Sequence, residues 1–98
     1  MPVPRGNPVD TALMRWIVGN VLDKAAAAGI SQRELASACN VSPAYWSHAR
    51  ARASGVSLYV LCRAAQRLEV DPKDLVPSLD EYRQIRQSVL GGELEGSS

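Results

Sequence analysis

The side chains able to do chemistry in this 98-residue chain crowd into one stretch, Ser31 to Arg52, SQRELASACNVSPAYWSHARAR. Gln32 and Arg33 stand near its start, and Tyr45, Ser47, His48, Arg50 and Arg52 near its end. Amide, hydroxyl, imidazole and guanidinium groups at this density suit phosphate oxygens and the edges of bases. They suit catalysis poorly. Cys39, His48 and Cys62 have eight and thirteen residues between them, a spacing that matches no zinc-ligand pattern. The acids are scattered and no glycine-rich phosphate loop is present. No enzyme, metal or cofactor is expected.

Local chemistry tells how these groups are held. Ser31 with Glu34 three residues on is a capping box, so a helix should begin at Gln32. It should end near Cys39, because Asn40 tolerates the left-handed conformation of a helix terminus. Ser42 then caps a second start, with Pro43 at the first helical position, and a helix follows to about Arg50. Two capped helices joined by so few residues are the geometry of a helix-turn-helix, whose second helix can enter the major groove of DNA. Trp46 and Ala49, three apart, should point inward. Ala44, Tyr45, Ser47, His48, Ala51 and Arg52 are left nearer the open side.

Taken in order, the chain starts with a proline-rich stretch, residues 1–8, expected to be a flexible arm in which Arg5 could reach phosphate. Apolar positions from Val9 to Ala28 recur at three and four, the period of a helix with one buried face, with Trp16 in the core and Gly29 as the stop. Residues 51–56 read as a loop. Ser57 caps a further helix with Leu58, Leu61, Cys62, Ala65 and Leu68 on one stripe. Asp71 and Pro72 open a short helix that turns Leu75 and Val76 inward before Pro77 ends it. The expected result is a domain over residues 9–76. Ser78 and Glu81 form a second capping box, opening a helix over 77–90 with the stripe Leu79, Tyr82, Ile85, Arg86 and Val89, which could fold back on the domain or, as the preferred expectation, pair with a second copy. Residues 91–98 should be a disordered tail.

Composition bounds the class. At 46% hydrophobic and 21% charged residues, the chain is that of a soluble globular protein, and no apolar run is long enough to span a membrane. The amino terminus lacks the apolar core of a secretory signal, so a cytoplasmic place is expected. Two cysteines make no disulfide framework, and both are expected as small buried residues. The net charge of +1 hides a gradient. Residues 1–70 carry eight basic and four acidic side chains, net +4; the rest carry three and six, net −3. A basic front can meet phosphate while an acidic back meets protein or solvent.

The strings GISQRELASACNVSPAYWSHARA and LYVLCRAAQRLEVDPKDLV, with the order of elements around them, resemble the lambda-repressor-like helix-turn-helix family, the Cro and repressor type, from about Val9 to Val76. The resemblance implies an all-α fold, a compact five-helix DNA-binding domain, here with an additional C-terminal helix. It also implies a homodimer that binds an inverted-repeat operator in double-stranded DNA, as a bacterial or phage repressor of transcription does in the cytoplasm or nucleoid. Carried over by position, Gln32 would bond a phosphate with Arg33 beside it, Ser42 would sit near phosphate, and Pro43, Ala44, Tyr45, Ser47 and His48 would face the groove. Pro43 and Ala44 stand where the family often has glutamine or another polar residue, and they cannot make the paired bonds that read adenine; Ala44 could touch a thymine methyl. Arg50 and Arg52 replace the family's usual Glu and Gly, and can reach phosphate or guanine. Helix-turn-helix folds also serve as antitoxins or adaptors without DNA, and a recognition helix short of long polar side chains leaves that class open. The length leaves no room for a ligand domain, so no small-molecule ligand is expected.

Overall fold

Three helices of this chain end alike, and the endings set its path. Gly29, Asn40 and Glu69 have left-handed backbone, with φ of 73°, 59° and 58°. Each is followed by an apolar residue whose N–H bonds back five residues: Ile30 to Ala25 at 2.8 Å, Val41 to Ala36 at 3.1 Å, Val70 to Ala65 at 3.0 Å. This is the Schellman ending, in which orphan carbonyls are satisfied as the chain reverses. The apolar residue then seals it: Ile30 is buried, and Val41 and Val70 pack against the core. Glycine and asparagine take this conformation cheaply; glutamate does not. Glu69→Gly is therefore expected to stabilise the domain by about 0.5–1 kcal/mol, the relief of the left-handed strain less the greater freedom of glycine in the unfolded chain. Thermal unfolding followed by circular dichroism should show a midpoint a few degrees higher.

The computed structural model describes residues 8–52 and 55–97, with the backbone alone over 92–97. Its elements are α1 (Pro8–Ala27), α2 (Gln32–Ala38), α3 (Tyr45–Arg52), α4 (Leu58–Leu68), a 3-10 turn (Pro72–Leu75) and α5 (Leu79–Ser97), with no strand among the described residues. The fold is a compact all-α domain. Pro8 opens α1, so the helix starts one residue before its expected beginning; the rest of the expected arm lies outside the described residues, as do residues 53 and 54 of the expected loop. That loop is also shorter than expected, because Ala51 and Arg52 are helical.

α1 is the hub, touching every other element. One of its faces carries Val18, Val21, Leu22 and Ala25, all buried, with Met14 and Ile17 packed beside them. Leu35 and Ala36 of α2, Trp46 and Ala49 of α3, Val60, Leu61, Ala64 and Ala65 of α4, and Leu75 complete the core. Asn20 ties the 3-10 turn to α1, its side-chain amide donating to the Asp74 carbonyl at 3.0 Å. The turn takes Leu75 fully inside but leaves Val76 37% exposed, against expectation, because the tighter 3-10 winding ends before Val76 can follow.

Three further expectations are corrected. Trp16 is half buried rather than core; with Ala12 and Arg15 it lies on the back of α1, lining a groove of about 530 Å³ shared with α5. The stripe of α4 is rotated. Val60, Leu61, Ala64 and Ala65 turn inward, while Leu58 (74% exposed) and Cys62 turn out. Among the described residues α5 packs on α1 alone, and it runs past Leu90 to Ser97 where a disordered tail was expected. No proline stops it there, and Glu93, Leu94 and Glu95 favour helix.

Candidate nucleic-acid interface

The capping box at the start of α2 is closed. Glu34 donates its N–H to Ser31 Oγ at 3.1 Å, and the Ser31 N–H reaches Glu34 Oε1 at 3.4 Å. That leaves Gln32 and Arg33 exposed on the first turn. The Glu34 carboxylate shares this end, but Arg67 lies 3.8 Å from it and offsets part of its charge. At the other end of α2, Arg63 Nε donates to the Ala38 carbonyl at 3.1 Å, so α4 clamps α2 from Ala38 to Glu34.

The entry to α3 differs from expectation. Ser42 makes no side-chain cap; its carbonyl accepts from the Tyr45 N–H at 3.0 Å, closing a turn with Pro43 and Ala44 at its corners. Proline suits the second position of such a turn and serine the first. The helix therefore starts at Tyr45, two residues late, with the Ala44 carbonyl accepting from the His48 N–H at 3.0 Å and from Ser47 Oγ at 3.1 Å.

Trp46 (0% exposed) and Ala49 (4%) anchor α3 in the core. At about 100° per residue, the line farthest from that anchor is Ala44, Ser47, His48 and Ala51, and all four are exposed. Arg50 and Arg52 are exposed on opposite flanks of the line. The outward ridge is thus narrow, with small side chains at all but His48 and a guanidinium on either side. Ser42 and Pro43 are exposed just before it. Tyr45 departs from the expected set: it is half buried against the core, edge-on to Trp46 with ring centroids 5.4 Å apart.

Behind the ridge, Cys39 is buried and its thiol donates to the Val60 carbonyl at 3.7 Å, bridging α2 to α4. Trp46 Nε1 is buried with no hydrogen-bond partner, though it lies near enough to the Cys39 sulfur to act on it. Burial pushes the Cys39 thiol above its ordinary value of 9.0, and the Arg63 guanidinium and the Trp46 N–H offset part of the rise. A thiol reagent at neutral pH should accordingly modify Cys62 quickly and Cys39 only on unfolding, one group per folded chain. The same shift has a sign for stability. The folded chain holds the Cys39 proton more tightly, so this group's contribution to stability is fully present below pH 9 and is lost as the pH rises further, a contribution that Cys39→Ala should remove.

The stripe expected on α5 is divided. Ile85 and Val89 are half buried and line the α1 groove, whereas Leu79 (63%), Tyr82 (36%) and Arg86 are exposed. The five share a face about 120° wide, and α5 is turned so that only the edge of it with Ile85 and Val89 meets α1, beside Glu81, Gln84 and Ser88. Among the described residues no helix is long and apolar enough to cross a membrane, and no three His, Cys, Asp or Glu side chains are grouped to hold a metal ion. Comparison of the chain with protein-family models, with curated proteins and with solved structures yields no match in any of the three.

Proposed function

We propose that this chain is a sequence-specific, double-stranded DNA-binding regulator of the lambda-repressor-like helix-turn-helix type, a bacterial or phage repressor that occupies an inverted-repeat operator as a homodimer in the cytoplasm or nucleoid. The observation that carries the reading is the outer surface of α3. A ridge of Ala44, Ser47, His48 and Ala51, in which only His48 projects far, can approach the floor of a major groove, and Arg50 and Arg52 on its flanks face the phosphate walls. Ser47 and His48 supply the hydrogen bonds to bases, and Ala44 the contact with a thymine methyl. Gln32 and Arg33 on the first turn of α2 take a phosphate of the adjoining strand.

Most of the affinity is then electrostatic. With Arg33, Arg50 and Arg52 each neutralising a phosphate, a dimer makes six such contacts, and log K should fall with log salt with a slope near about −5. Fluorescence anisotropy on a labelled duplex over a range of salt measures this. A flat salt response with weak binding would remove DNA as the ligand and favour a protein partner.

A further inference from the structure

Among the described residues two apolar patches lie open, at the start of α5 (Leu79 and Tyr82) and at the start of α4 (Leu58, 74% exposed, and Tyr59, 58%). We propose that two copies of the chain meet through the open face of α4, along Leu58, Tyr59, Cys62 and Gln66, an inference that rests on the homodimer reading above and moves its contact away from α5.

Charge favours α4. A two-fold axis sets each residue near its own copy, so a charge beside the axis meets its like. From Leu58 to Cys62 the α4 ridge is uncharged: the helix's two arginines are turned to α2, Arg63 onto the Ala38 carbonyl and Arg67 toward Glu34, and Glu69 stands past Gln66 at the far end. Tyr59 is steadied at its hydroxyl, which accepts from the Asn40 side-chain amide at 3.4 Å. On α5, by contrast, Arg83 and Arg86 stand exposed on the outward face with Leu79. Among the described residues Arg83 is paired with Asp80 alone, at 3.9 Å and largely in solvent.

Distance favours α4 as well. α5 covers the back of α1, opposite the face that packs on α3. An axis through α5 would put α1 and α5 of both copies between the two α3 helices, and five packed-helix spacings of about 9 Å give roughly 45 Å. Successive half-sites lie about 34 Å apart. Leu58 is six residues beyond the last residue of α3, at most about 20 Å of chain. An axis beside it leaves the one-turn spacing within reach.

The test compares the full chain with two variants by sedimentation equilibrium, each checked for helix content by circular dichroism: Leu58→Asp with Cys62→Asp, and Leu79→Asp with Arg86→Asp. All four positions are exposed, so folding should survive. The expected result is self-association weakened tenfold or more by the α4 pair and unchanged by the α5 pair. In the unaltered chain a short bis-maleimide should join Cys62 to Cys62 of a second copy, with the product lost in Cys62→Ser. Loss of the dimer in the α5 pair with retention in the α4 pair would overturn this interface and leave the dimer standing. An unaltered chain that is monomeric at all concentrations, with and without duplex, would overturn the homodimer reading and this inference with it.

Discussion

Trp46→Ala is expected to cost about 3–5 kcal/mol, the range for emptying a buried aromatic site. Trp46 is the largest fully buried side chain, at 0% exposure, and it joins α3 to a core otherwise made of aliphatic residues, alanines and one cysteine. Small domains have about 5–15 kcal/mol in total. This substitution therefore takes away much of the stability of a 98-residue chain and, with it, the placement of the outward ridge. Trp46→Phe makes the informative comparison. It keeps much of the ring volume and leaves a smaller gap, while removing the indole N–H beside the Cys39 sulfur, so its cost should be smaller than that of alanine. Trp16→Ala should also cost less than Trp46→Ala, since Trp16 is half exposed on the far side of α1. Urea unfolding followed by circular dichroism ranks the three, and an equal loss at positions 16 and 46 would contradict the assignment of the core.

The second large effect concerns binding. Arg50→Ala with Arg52→Ala should lower duplex affinity by about a thousandfold or more near 0.1 M salt, since a dimer loses four charge-assisted phosphate bonds, each worth about 1 kcal/mol or more in context. The salt slope should become shallower by about 0.9 for each contact removed, so by about 3–4 in a dimer. Stability should move by less than about 0.5 kcal/mol, because both side chains are exposed and neither is paired among the described residues. His48→Ala should behave differently. It stands on the outward ridge rather than on a flank, so its loss should relax the preference at one base position with little change in slope.

Much of the fold was legible in the sequence because helix ends are local chemistry. Ser31 with Glu34, Ser78 with Glu81, Ser57, Gly29 and Asn40 all act where their residue types place them. Glu69 was not legible: nothing in a glutamate signals a left-handed ending, and it is the packing of Val70 that carries it there. Nor could periodicity say what covers an apolar stripe. α1 has two such faces, one on the core and one under α5, and their merged pattern put Trp16 in the wrong one. Leu58 and Cys62 were assigned inward for the same reason, since a short helix offers two stripes that differ by one residue. Of the residues expected at the candidate interface, all but Tyr45 are exposed. Its shape was not legible, because the division of α3 into ridge and flanks depends on where Trp46 and Ala49 meet the core.

Selection of bound sequences from a random duplex library bears most directly on the central proposal. The account predicts one enriched inverted repeat, with half-sites about one helical turn apart and enrichment sharply reduced for the Arg50 and Arg52 double alanine. A library that returns no motif, or a motif enriched equally by the double alanine, would contradict it.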